Sequence, residues 1–84
     1  MPRLVKATVL VRLKGEVLDP QGDAIRRALG TMGFEGVGDV RVGKLIEIEV
    51  QGQSASTLKP ALEKMADQLF ANPVIEDFEV RVES

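Results

Sequence analysis

Apolar and polar residues alternate from the start of the chain. Val5, Ala7, Val9, Val11 and Leu13 fall on one side of an extended segment, with Lys6, Thr8, Arg12 and Lys14 on the other. This is the pattern of a half-buried strand ending at Lys14-Gly15, with Leu4 and Leu10 as apolar residues on its polar side. Asp19-Pro20 then marks a helix start: the carboxylate can accept first-turn amide protons, and Pro at the first helical position gives up an N–H that has no partner there. Ala24, Ile25, Ala28, Leu29 and Met32 follow at helical spacing, Asp23, Arg26 and Arg27 take the polar side, and Gly33 suits a left-handed cap.

The rest of the chain reads the same way. Val40 and Val42 pattern one short strand and Ile46, Ile48 and Val50 another, with Gly43-Lys44 where a two-residue hairpin loop would fall. A loop over residues 52–56 leads to a second amphipathic helix carrying Leu58, Leu62, Met65, Ala66 and Leu69. With Thr57 as its N-cap, Pro60 occupies the harmless third position. Asn72-Pro73 stops that helix, and Phe78, Val80 and Val82 alternate with Glu79, Arg81 and Glu83 in a last strand. The order β-α-β-β-α-β predicts an α+β fold, a ferredoxin-like two-layer sandwich with two helices on one face of a four-stranded antiparallel sheet. The opposite face would carry Leu4, Lys6, Thr8, Leu10, Arg12, Leu45, Glu47, Glu49, Arg81 and Glu83, a mixed surface. Open sheets of this kind usually have their edges covered or paired, so a homo-oligomer through the sheet or an edge strand is expected.

Composition sharpens this picture mainly by exclusion. At 84 residues the chain is expected to form a single domain over 1–84. A chain of this size buries only about 60–65% of the surface that its unfolded form exposes, so the core is thin. There is no Cys and no His, which removes thiol nucleophiles, zinc fingers and His-based general bases. A thin core without disulfides predicts a reducing, cytoplasmic setting or reliance on partners. The net charge is −2, with 11 basic and 13 acidic residues interspersed, and the aromatics are three Phe. Neither a basic stripe nor a base-stacking platform is present, so no nucleic-acid partner is expected. The first residues lack the apolar run of a signal peptide, and no stretch approaches the ~20 apolar residues of a membrane span.

Several local patterns invite chemistry. Residues 38–45 match most of the phosphate-loop pattern, but position 45 is Leu rather than Ser or Thr, and a strand pattern follows where a helix is required. A hairpin is the better reading. At Leu18, Asp19, Pro20, Gln21 and Gly22 a helix N-terminus could attract an anion, yet Asp19 itself fills the position. Arg26-Arg27 and the pair Arg41 and Lys44 are the nearest approaches to basic patches, and solvated charges explain them. Glu79 and Glu83 share a strand face but lie too far apart along it to act as a close carboxylate pair, and Glu76 and Asp77 add no metal-loop pattern. A phosphatase of the acylphosphatase type would need an Arg and an Asn on a phosphate loop; the single Asn, Asn72, stands at a helix end. The fold alone decides nothing further.

Residues 17–22 (Val-Leu-Asp-Pro-Gln-Gly), 39–44 (Asp-Val-Arg-Val-Gly-Lys) and 71–78 (Ala-Asn-Pro-Val-Ile-Glu-Asp-Phe) together resemble the PurS family, in order and spacing, over essentially the whole chain. PurS proteins are small subunits of phosphoribosylformylglycinamidine (FGAM) synthase, which uses ATP and glutamine to convert formylglycinamide ribonucleotide into formylglycinamidine ribonucleotide in purine biosynthesis. The resemblance implies a non-catalytic subunit that dimerises, bridges the glutaminase PurQ and the synthetase PurL, and assists ammonia transfer between them. It implies no cofactor on this chain, ATP and magnesium being used by the synthetase. The family signature carries over to Leu18, Asp19, Pro20, Gln21 and Gly22, to Arg41, Gly43 and Lys44, and to Asn72 and Pro73, as cap, hairpin, helix stop and possible partner contacts. Beside it stands a second class of function, a free-standing dimeric regulatory module that binds a small anionic ligand.

Overall fold

A computed structural model describes residues 4–51 and 54–83. The alternating first segment is strand β1, Leu4–Leu13, and it forms the centre of the molecule. It pairs antiparallel on one side with β2, Gly43–Gln51, and on the other with β3, Glu76–Val82. The period-two pattern fixes the register, since Val9 stands opposite both Ile46 and Val80, and Val11 opposite Phe78. Slipping the register by one residue would turn this whole apolar set to the other face.

Helix α2, Ala55–Met65, closes that face and runs on into a single π-helical turn, Ala66–Phe70, in which the Ala71 N–H reaches back to the Ala66 carbonyl at 2.8 Å. Ala7, Val9, Val11, Leu58, Leu62, Ala66 and Ala71 form the buried core between helix and sheet. Burying a leucine such as Leu62 fully stabilises the fold by roughly 1.5–3 kcal/mol relative to leaving it in water. The helix begins one turn earlier than the sequence predicts. Ser54, not Thr57, is the N-cap, and its hydroxyl accepts the Thr57 N–H at 3.4 Å. Pro60 therefore lies inside the helix rather than in its first turn. Of the expected loop, Gly52 and Gln53 lie outside the described residues.

Helix α1, Pro20–Thr31, is bounded as its sequence suggests. Gly33 has φ 92°, and the Phe34 N–H bonds the Leu29 carbonyl at 3.0 Å while the Gly33 N–H bonds that of Gly30 at 3.1 Å. This is the left-handed helix stop that Gly permits. Its placement is not the expected one. Only Gly22 of α1 is buried, and neither core cluster contains a residue of this helix. One helix covers the sheet, and the other projects beyond its end.

The four-stranded, ferredoxin-like expectation is corrected with it: the described sheet has three strands in the order β2-β1-β3. Val40 and Val42 belong to an irregular segment, and Gly43-Lys44 opens β2 instead of turning a hairpin. Gly43 pairs with Arg12 across the ladder, and a Cβ at this position would come within 2.6 Å of the Val11 carbonyl oxygen. The glycine serves close approach, not a turn. Among the described residues no helix is long and apolar enough to cross a membrane.

Candidate functional site

The three signature blocks lie far apart in sequence, and the antiparallel sheet brings them to one end of the molecule, where β1 finishes and β2 and β3 begin. Lys14, just past β1, is their common anchor. Its N–H donates to the Ile75 carbonyl at 2.8 Å, and its own carbonyl accepts from Arg41 Nη2 at 3.0 Å. The same Arg41 nitrogen reaches the Val17 carbonyl at 2.8 Å.

Asp19 is the polar centre of this region and is only 5% exposed. One carboxylate oxygen accepts the Gly22 N–H at 2.9 Å, the N-cap bond that the sequence predicts. The other accepts the Val42 N–H at 2.7 Å, a long-range bond that the sequence did not announce. The Val42 and Gly22 bonds, in that order, hold the Asp19 carboxyl below its ordinary pKa against the opposing effect of burial, and the Arg41 charge acts in the same direction. Gly22 completes the contact. Its backbone approaches the Val40 carbonyl so closely that any Cβ there would overlap it. Asp19, Gly22 and Arg41 thus clasp residues 40–42 to the β1–α1 connection, which is why 40–42 does not fold back as a fourth strand.

On the other side of the same end, Lys44 Nζ donates to the Phe70 carbonyl at 2.9 Å, fastening the start of β2 to the π-helical turn. The Asn72 side chain accepts the Val74 N–H at 3.1 Å, and its backbone N–H donates to Glu76 Oε1 at 2.7 Å. Helix stop and strand start are thereby joined in one turn, with Pro73 exposed beside them. Pro20 and Gln21 are exposed as well, and Leu18 and Val74 are each 78% exposed. The signature residues therefore divide into two sorts. Asp19, Gly22, Arg41, Gly43, Lys44 and Asn72 set backbone geometry, whereas Leu18, Pro20, Gln21 and Pro73 show surface to solvent.

The remaining candidate patterns gather no ligand site among the described residues. Residues 38–45 run directly into β2, so no helix N-terminus stands where a phosphate loop needs one. Asp23 pairs with Arg26 at 2.7 Å and Arg27 at 3.4 Å, partly neutralising the basic pair; the Arg26 bond is the main cause of a lowered Asp23 pKa. Arg12 and Arg81 share Glu79 Oε2, each at 3.2 Å, on the open sheet face. Among the described residues no group of three or more acidic side chains is gathered as metal ligands would be. The arrangement is built to hold shape and present surface.

Comparison with known proteins agrees over nearly the full length. The profile of the family described as PurS, phosphoribosylformylglycinamidine (FGAM) synthase, matches residues 6–84. The PurS subunit of that enzyme from Methanocaldococcus jannaschii is 44% identical over 80 residues, covering 95% of this chain and 96% of the relative. The PurS subunit from Bacillus subtilis is 42% identical over 80 residues, covering 95% and 94%. A chain in the solved structure of PurLQS from Thermotoga maritima superposes with a TM-score of 0.86 at 32% identity, covering 96% of this chain and 99% of that one. With its three signature blocks converging at one end of the sheet, the chain belongs to the PurS family, the small subunits of FGAM synthase in purine biosynthesis.

Proposed function

We propose that the chain joins a glutaminase of the PurQ type to a synthetase of the PurL type in the cytoplasm, as a homo-oligomeric bridge that assists the passage of ammonia between them. The observation that carries this reading is the full-length similarity to a chain of the Thermotoga PurLQS assembly. Ammonia released into water at neutral pH becomes ammonium and loses its nucleophilic lone pair, so a protein surface that excludes bulk water along the path preserves reactivity. That task requires interfaces and no nucleophile, which suits a chain without Cys or His. ATP and magnesium act on the synthetase in this reading, and the present chain binds neither. The exposed signature residues Leu18, Pro20, Gln21 and Pro73 serve as partner contacts, held in place by the Asp19–Arg41 clasp and the Asn72 turn.

Reconstitution tests the reading directly. Purified PurL-type and PurQ-type subunits are assayed with ATP and either glutamine or ammonia, with and without this chain. A glutamine-driven rate that depends on the chain is expected. Glutamine- and ammonia-driven rates that are both indifferent to it would overturn the proposal.

A further inference from the structure

The face of the sheet away from α2 has no layer over it among the described residues. The apolar core lies on the other side, and the register sets Lys6, Thr8, Leu10 and Arg12 of β1 between the alternate, outward residues of β2 and β3. Leu10 stands directly opposite Leu45, on the part of the sheet where all three strands run side by side, and Leu45 is 57% exposed. A single leucine in water is ordinary. Two of them paired across neighbouring strands form a small apolar platform on an otherwise charged surface.

The charges around that platform do not cancel. The cations of the face are Lys6, Arg12 and Arg81. Its carboxylates are Glu47, Glu49, Asp77 and Glu79, with Glu83 just past β3, where its N–H donates to the Lys6 carbonyl at 2.9 Å. The balance of −2 equals the net charge of the whole chain, so the rest of the molecule is neutral and the imbalance belongs to this face. Glu79 alone takes both arginines. Glu47, Glu49, Asp77 and Glu83 are exposed and make no ion pair among the described residues.

The face also has relief. Arg12, Leu13, Asp77, Phe78 and Glu79 line a recess of about 330 Å³ at its edge, ample for one long side chain. With Arg12 held by Glu79, the uncommitted charge there is the Asp77 carboxylate, which suits an incoming guanidinium or ammonium group. These features choose among occupants. A second copy stacked through the same face would set one net-negative surface against another, and nucleic acid would bring more negative charge still. A basic protein surface with an apolar side chain among its cations complements all three: the platform, the carboxylates and the recess.

We propose that the open sheet face docks a basic surface of a partner enzyme subunit, with an apolar side chain over Leu10 and Leu45 and an arginine or lysine in the recess beside Asp77. This rests on the bridging reading above and adds to it a second contact region, separate from the exposed end at Leu18 and Pro73. Opposite charge across the contact speeds encounter and fixes orientation, and it weakens as salt rises.

Charge reversal tests the face. The full-length chain is titrated by calorimetry against purified PurQ-type and PurL-type subunits, singly and together, at low and high salt. It is compared with a double variant, Glu47→Lys with Glu49→Lys, and with a control that makes the same charge change on exposed positions of the helical segment, Glu63→Lys with Asp67→Lys. Wild type should bind at least one subunit and lose affinity in high salt. The Glu47/Glu49 variant should bind that subunit at least about tenfold more weakly and keep its own sedimentation, while the control binds as wild type does. Equal affinity of wild type and the Glu47/Glu49 variant overturns the docking face and leaves the bridging reading standing, as does an equal loss in the control. Altered self-association of the Glu47/Glu49 variant assigns the face to a second copy and overturns the proposal as well. A wild-type chain that binds neither subunit nor the pair overturns the bridging reading itself.

Discussion

Beneath α2, Val9 and Leu62 are fully buried and the strands on either side of β1 lock into register; at the other end of the molecule α1, a helix of nearly equal length, buries only Gly22. The first region is held by apolar packing between layers. The second is held by a few directional contacts around one carboxylate, with almost no apolar burial of its own. Packing tolerates small local adjustments but suffers when volume is removed, whereas the clasp depends on atoms being absent at Gly22 and on two N–H groups meeting Asp19. Substitutions that leave a hole should therefore harm the α2 layer most, and substitutions that add an atom or remove a charge should harm the α1 end.

The largest effect is expected from Leu62→Ala. Leu62 is wholly buried against the sheet, and the cavity left behind adds to the lost transfer energy. A loss of about 3 kcal/mol in chemical unfolding is expected. A loss below ~1 kcal/mol would mean that the layer collapses freely and that packing is not what holds it.

Gly22→Ala comes next and probes the other region by addition. The new methyl meets the Val40 carbonyl, which is backbone and cannot swing aside, so about 2 kcal/mol of stability should be lost. The comparison sharpens if the loss falls unevenly. Hydrogen exchange at the Val42 amide, which faces Asp19, should rise more than exchange in β1 beneath α2.

How far the sequence reaches depends on the same division. β1, β3 and both ends of α1 are legible because their causes are local: alternation at Val5 to Leu13, the Asp19-Pro20 start, the left-handed Gly33. Asp19 is also legible as a cap. Its second bond is not, because Val42 is 23 residues away and nothing in a short Val40–Val42 alternation tells a strand from a segment pinned to a carboxylate. Gly43 misleads for a related reason: a glycine needed to clear the Val11 carbonyl looks the same in sequence as a glycine needed for a turn. The apolar spacing in α1 states that a face must be covered but not by which chain. The exposed surface at Leu18 and Pro73 is legible only through the family signature, since neither residue carries chemistry that singles it out.

Asp19→Asn tests the charge rather than the space. The folded carboxyl is held below its ordinary pKa, chiefly by the Val42 N–H and then by that of Gly22, so it binds a proton less readily than in the unfolded chain. Its contribution to stability is present above the unfolded pKa, near ~4, and is lost as pH falls through the lower folded value. Wild type should therefore lose stability on acidification through that range, and the Asn variant, already lacking the charge and presenting an amide donor to one N–H, should lose less. Melting curves between neutral pH and the acid limit check this. Parallel curves would show that the clasp draws nothing from ionisation.

The smallest expected effect has the opposite sign. Gly30 lies within α1, has open space where a Cβ would stand, and does not take a positive φ. Ala there relieves the backbone-entropy penalty of a helical glycine, a gain of about 0.8 kcal/mol. On the helix it falls on the side of Asp23, Arg26 and Arg27, away from Ile25 and Met32, so the gain requires no change in what covers the apolar side. Gly22→Ala and Gly30→Ala are the same substitution in the same helix, eight positions apart, and opposite outcomes in one unfolding assay would place the constraint on the Val40 contact alone. If both destabilise, α1 is covered on its polar side too, and the helix is enclosed by its surroundings rather than seated by one face.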